Sequence, residues 1–111
     1  MPIPQKKINN LKISIILPNY NSSKYIDATI KSIINQSFKN WELIIIDDCS
    51  DEKTKKILSK YLKNKKIKII WLKRNRGAGY CRNLAIKKSK SKYLAFIDSD
   101  DLWEKNKLKI Q

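Results

Sequence analysis

The sequence predicts an α/β fold built on a mainly parallel sheet flanked by helices. Four short apolar runs rich in β-branched residues recur along the chain. Between them lie stretches whose apolar residues repeat at helical spacing. One of the runs is continuously apolar, as a strand covered on both faces must be. Strands alternating with helices give βαβαβαβ, which closes by right-handed crossovers into a parallel sheet.

Each element has a local reason. Residues 12–17 form a short β-branched strand that Pro18 is expected to stop. Residues 19–23 are turn chemistry, with serine available to cap a helix. From 24 to about 35 the apolar positions Tyr25, Ile26, Thr29, Ile30, Ile33 and Ile34 share one helical face. The second strand spans 42–46 and ends in Asp47-Asp48. Asp51 can cap a second helix, with Ile57, Leu58, Tyr61 and Leu62 on its inner face. A third strand covers 67–72, a loop 75–79, and a third helix runs from about 78 to 88. The fourth strand, 93–97, ends in Asp98-Ser99-Asp100-Asp101. Residues 1–10 read as a flexible lead-in and 11–111 as one domain. A further helix is expected over 104–110. The chain stops inside it, which suggests a domain truncated at its C-terminus.

Composition narrows the function. The chain has 111 residues, Lys+Arg 25 against Asp+Glu 10, a net charge of +15 and no histidine. The length suits one core. The absence of histidine excludes His-based triads, His metal ligands and a His general base within these residues. No apolar run approaches the ~18–20 residues needed to span a bilayer, and the N-terminus lacks the apolar stretch of a signal peptide. A cytoplasmic location is expected. Only Arg74, Arg76 and Arg82 are arginine. A lysine-rich, arginine-poor chain argues against base reading by arginine forks and hence against nucleic acid as the partner. Many of the lysines, Lys53, Lys55, Lys56, Lys60, Lys63, Lys87 and Lys88, fall on what read as solvated outer helix faces, and the same balance fits peripheral contact with an anionic inner membrane face. Cys49 and Cys81, with 31 residues between them, make no C-x-x-C pair and read as free thiols.

The acidic residues are distributed unevenly. Five of the ten, Asp47, Asp48, Asp98, Asp100 and Asp101, fall at two strand ends. In open parallel sheets, ligands bind beyond the carboxyl ends of the strands. Capping by Asp51 and Asp101 and turn formation account for one or two acids, but not for all of them. Like charges gathered at one edge repel unless a cation joins them. Oxygen-only ligands select a hard cation, and two or three carboxylates suit Mg²⁺ or Mn²⁺ completed by water and substrate phosphates.

Four motifs occur in order: residues 14–21 with Pro18-Asn19-Tyr20-Asn21, residues 42–50 with Asp47-Asp48, Asn75-Arg76-Gly77 with Arg82-Asn83, and residues 93–101 with Asp98-Ser99-Asp100-Asp101. Together they resemble the N-terminal half of a family 2 glycosyltransferase of the Rossmann-like GT-A fold, over residues 11–108. The resemblance implies sheet order 3-2-1-4, which sets Tyr20 and Asp98 beside one crevice. It implies an inverting enzyme that takes a nucleotide-diphosphate sugar, UDP-linked by preference, for transfer to a cell-surface glycan or lipid-linked acceptor. By the same resemblance Pro18, Tyr20 and Asn21 belong to the turn lining the base, with Tyr20 stacking on it. Asp48 accepts a hydrogen bond from the base edge, with Asp47 as its neighbour, and Arg82 lies near the nucleotide. Asp98 faces the ribose and the metal, and Asp100 ligates the metal. Cys81 stands where the family has a small residue, which favours packing, and Trp103 is expected to pack on the sheet edge.

The family's general base follows this region. No catalytic residue is therefore assigned within the chain; the base is expected after Gln111, and the chain alone is expected to bind donor without turnover. Apolar surface near Phe96, Ile97 and Trp103 would then be exposed and favour a homodimer. Other classes fit less well. A receiver domain needs paired acids after strand one, and a haloacid-dehalogenase phosphatase needs its Asp-x-Asp there. A dinucleotide site needs G-x-G-x-x-G, which Tyr80-Cys81-Arg82 breaks. A basic, non-enzymatic nucleic-acid binder is the alternative from another class, and it rests on charge alone.

Overall fold

The computed structural model describes residues 12–104 and 107. Four strands, β1 (Ile13–Asn19), β2 (Trp41–Asp47), β3 (Ile67–Trp71) and β4 (Tyr93–Phe96), form one parallel sheet in the order β3-β2-β1-β4. Helices α1 (Ile26–Ile34), α2 (Glu52–Ser59) and α3 (Ala78–Lys88) connect them. The expected order 3-2-1-4 is observed, and β1 and β4 are neighbours.

Period-2 alternation sorts the core into two layers. Ile13, Ile15 and Leu17 of β1, with Leu43 and Ile45 of β2, pack beneath Ile26, Ile30 and Ile33 of α1 and Leu58 of α2. Ile16, Ile44 and Ile46 point the other way, onto Cys81 and Ala85 of α3. The apolar run in β2 is continuous because both of its faces are covered. Small residues at 81 and 85, one helical turn apart, let α3 lie close to the sheet.

The strand does not stop at Pro18. β1 runs through it to Asn19, with Pro18 opposite Ile46 and Asn19 opposite Asp47. The carbonyl of Ile16 accepts from Ile97 on the β4 side, and that of Asn19 accepts from Asp48 on the β2 side. Alternation therefore points the missing N–H of Pro18 toward β4, where the next bond of the parallel ladder would run from residue 18 to Ile97 O. Without that donor the β1–β4 pairing ends at Ile16–Phe96, while the β2 side continues to Asn19.

Other boundaries also move. α1 begins at Ile26 with Tyr25 as N-cap, and no side chain caps it. Ser22 uses its carbonyl, accepting from Tyr25 and Ile26, while its hydroxyl donates to Asn19 Oδ1. Asp51 does cap α2, accepting from Thr54 N at 2.9 Å. Leu62, expected on the inner face, lies past the end of α2 and is 55% exposed. Ile97, expected to be exposed, is 3% exposed because it packs into the α1 layer, where Trp103 also packs. Tyr93, Leu94, Phe96 and Leu102 carry the exposed apolar surface instead. The lead-in over 1–10 lies outside the described residues, as does nearly all of the helix expected over 104–110. Among the described residues no helix is long and apolar enough to cross a membrane.

One polar network ties α1 to the end of α2. Asp27 accepts from Tyr61 Oη at 2.5 Å and pairs with Lys60 and Lys31 Nζ, each at 2.9 Å. The Tyr61 hydrogen bond, then those from Lys60 and Lys31, hold the Asp27 carboxyl well below the usual range. A depressed folded pKa contributes stability above the unfolded value of about 4, and that contribution fades as pH falls toward the folded value. Asp27→Ala is expected to cost about 1–2 kcal/mol at pH 7, low in the range for hydrogen bonds to charges because the site is partly exposed. Urea melts at pH 7 and pH 3 check this: the gap to the parent must narrow in acid, and a constant gap would contradict the assignment.

Candidate functional site

The carboxyl ends of the strands open onto a cleft of about 220 Å³. Pro18 and Tyr20 line it after β1, Asp48 after β2, Cys81 and Arg82 from the first turns of α3, and Asp98 after β4. Five of the residues expected at the nucleotide thus border one cavity. Tyr20 is 51% exposed, so its ring face is free to stack.

Asn21 and Asp47 are placed differently. Neither lines the cleft; both knit the loops behind it. Asp47 is fully buried and accepts from Asn19 Nδ2 at 3.0 Å, Ser50 N at 3.1 Å and Ser50 Oγ at 2.5 Å. Asn21 donates its N–H to Ser50 Oγ at 3.0 Å, and its Oδ1 accepts from Asp51 N at 2.7 Å. The β1 and β2 loops are in this way one hydrogen-bonded unit.

Asp48 is fixed by backbone. Its carboxylate oxygens accept from Arg76 N at 2.7 Å and Gly77 N at 2.9 Å, and its own N–H donates to Asn19 O at 2.8 Å. Gly77 sits at φ 92°, ψ 158°, and nothing lies within 4 Å of where a Cβ would stand. Glycine is required there by backbone conformation, which costs a larger residue about 1–3 kcal/mol. The Asp48 carboxylate keeps acceptor capacity beyond these two bonds. Sequence reasoning did not foresee these two N–H partners; glycine at the head of α3 was the only sign of them.

Burial pushes the Cys81 thiol up to about 11, with the adjacent Asp48 charge and a hydrogen bond to Asp48 adding to it. The thiol is protonated at neutral pH and supports Asp48; it is not a nucleophile. The guanidinium of Arg76 stands over the Tyr80 ring at 4.4 Å, so all three arginines lie in or beside the first turns of α3.

At the cleft's edge Asp98, Asp100 and Asp101 are exposed, with carboxylate oxygens within 4.8 Å of one another. A turn makes this possible: Asp101 N donates to Asp98 O at 3.0 Å, and Asp98 N approaches Asp101 Oδ2 at 3.4 Å. Asp98 belongs to both the cleft and this group. Asp101, read from sequence as a cap, joins the cluster. Three exposed carboxylates with no nitrogen or sulfur among them make a donor set that suits a hard divalent cation.

A parallel sheet with order 3-2-1-4 and a cleft at its switch point form a Rossmann-like α/β arrangement, and the chain's structural neighbours are proteins of the GT-A fold. The chain belongs to glycosyl transferase family 2, whose family model matches residues 14–111. It is 44% identical over 100 residues to TuaG of Bacillus subtilis, a candidate teichuronic acid biosynthesis glycosyltransferase, covering 89% of this chain and 40% of that protein. It is 40% identical over 100 residues to WfgD of Escherichia coli, a UDP-Glc:alpha-D-GlcNAc-diphosphoundecaprenol beta-1,3-glucosyltransferase, covering 89% of this chain and 39% of that one. The crystal structure of Staphylococcus aureus TarS 1-349 with UDP superposes with a TM-score of 0.82 at 38% identity, covering 89% of this chain and 30% of that one. The same fragment has been solved with UDP-GlcNAc, with a TM-score of 0.78. The chain spans about two-fifths or less of these relatives.

Proposed function

We propose that this chain is the donor-binding part of an inverting glycosyltransferase that takes a UDP-linked sugar, with a divalent cation, for transfer to a cell-surface glycan or lipid-linked acceptor. One observation carries the reading: Tyr20, Asp48, Arg82 and Asp98 converge on a single cleft beside a three-carboxylate turn. Tyr20 stacks on the base. Asp48, held rigid by two backbone N–H groups, accepts from the base edge. Arg82 attracts the diphosphate, and Asp98 reaches the ribose. Asp98 and Asp100, with Asp101 beside them, would hold Mn²⁺ or Mg²⁺, which supplies charge neutralisation to a departing diphosphate. The general base lies, on this reading, beyond Gln111, and the isolated chain binds donor without turnover.

The acceptor class is supported by relatives named for teichuronic acid, poly(ribitol-phosphate) and diphosphoundecaprenol-linked chemistry. The charge of +15 supports a cytoplasmic protein resting on an anionic inner membrane face, at about 1 kcal/mol per well-placed lysine. Exposed Tyr93, Leu94 and Phe96 on the β4 edge support self-association of the isolated chain.

Calorimetry tests the reading. UDP with Mn²⁺ should bind on the order of 0.1–1 mM, as expected of an open half-site. Chelating the metal should weaken binding tenfold or more. The same charge favours one other reading, a basic nucleic-acid binder. Oligonucleotide binding that falls steeply between 50 and 200 mM salt, with no response to UDP, would establish that alternative and sink the proposal.

A further inference from the structure

The core-facing side of α1 is not uniformly apolar. Thr29 and, just past the helix, Gln36 are fully buried beside Ile26, Ile30 and Ile33. Buried polar groups weaken a core unless they are hydrogen-bonded. Both are bonded, and to the same segment. Thr29 Oγ1 donates to Ser99 O at 2.8 Å, with Tyr25 O also in reach at 3.1 Å. Gln36 Nε2 donates to Glu104 O at 2.6 Å. Between them Ser32 Oγ accepts from Trp103 N at 3.1 Å. Positions 29, 32 and 36 share a face at helical spacing.

The segment they hold has no sheet to hold it. β4 pairs with β1 only as far as Ile16–Phe96, and the last bond along that seam is Ile97 N to Ile16 O at 3.1 Å. Beyond it come three exposed carboxylates within 4.8 Å of one another, which repel. Ser99 lies between Asp98 and Asp100, so fixing its carbonyl fixes the turn on which both side chains stand.

We propose that Thr29, Ser32 and Gln36 are positioning residues that clamp the backbone after β4 from its buried side and so set the spacing of Asp98, Asp100 and Asp101 for a divalent cation. The proposal rests on the cation reading given above. It explains why Thr29 and Gln36 are polar though buried: they resist carboxylate repulsion from behind without adding charge to the core.

Thr29→Val removes the hydroxyl at constant shape, Thr29→Ser restores it, and Ser32→Ala is a milder second lesion at a half-buried position. Mn²⁺ affinity is read by electron paramagnetic resonance without nucleotide, UDP affinity in EDTA by calorimetry, and amide hydrogen exchange residue by residue. Thr29→Val and Ser32→Ala should each weaken Mn²⁺ binding 5- to 10-fold and speed exchange across 98–101 tenfold. UDP affinity in EDTA, which feels the turn only through Asp98, should fall less than Mn²⁺ affinity, and exchange in β1 and β2 should stay within twofold. Thr29→Ser should lie within twofold of the parent throughout. Unchanged Mn²⁺ affinity and unchanged exchange across 98–101 in both variants would overturn the clamp. If the unsubstituted chain binds no Mn²⁺, the cation reading falls by itself, and exchange across 98–101 alone decides whether the clamp exists.

Discussion

Asp47→Ala is expected to cost about 3–5 kcal/mol, the largest stability loss of any single polar substitution in the loops of this chain. The magnitude follows from what it leaves behind. Asn19 Nδ2, Ser50 N and Ser50 Oγ all lose their acceptor in a region where Asp47, Asn19 and Ser50 are buried. Each abandoned buried donor costs about 1–3 kcal/mol, and breaking a buried charged cluster falls in the range of about 3–5 kcal/mol. At about 4–8 °C per kcal/mol, thermal melting should drop by roughly 12 °C or more. Asp51→Ala, which removes only an exposed helix cap, should cost about 1 kcal/mol by comparison. Denaturant melts of both variants check the contrast, and equal losses would show that water replaces Asp47 without penalty.

Asp100→Asn is expected to remove most of the cation-dependent part of UDP affinity, tenfold or more, while leaving the melting temperature within about 1 °C. Asparagine keeps the shape and one carbonyl oxygen but removes the charge a hard cation requires. Asp100 is exposed, and it belongs to the three-carboxylate turn and not to the buried loop network, so the fold should not notice. Titrations with Mn²⁺ and in EDTA separate the two contributions. Equal affinity for parent and variant in Mn²⁺ would remove Asp100 from the cation site.

These two aspartates show what the sequence could and could not reveal. Asp47 closes β2 and Asp100 follows β4, strands that apolar runs and β-branching made plain, and both were read as parts of a ligand site. Their neighbourhoods separate them. The side chain of Asp47 turns inward, because parallel register sets Asn19 opposite it and a loop returns Ser50 to it. No spacing rule in the sequence encodes that direction. Asp48 likewise owes its rigidity to the N–H groups of Arg76 and Gly77, which lie 28 and 29 residues away and are brought together only by the β3–α3 crossover. Pro18 looked like a stop because proline breaks ladders. It does end one ladder, the seam with β4, but the β2 seam lies on the other side of the strand and runs on to Asn19, and which neighbour a given N–H faces is not written in the sequence. What was legible was periodicity and residue type. What was hidden was every contact made by backbone from a distant segment.

The residues with positive φ among those described are Asn21 at 47°, Cys49 at 64° and Gly77 at 92°, and each sits in a loop at the carboxyl edge of the sheet. A non-glycine residue in that region carries roughly 1–2 kcal/mol of conformational cost. Thermal hardiness and ligand recognition therefore make opposing demands on the same few residues. Cys49→Gly would relieve the backbone cost at that position while freeing the loop beside Asp48 in the unfolded and folded chain alike. A directed-evolution campaign aimed at a hardier scaffold should leave this rim out of its library and draw its gains from the opposite edge and the outer helix faces.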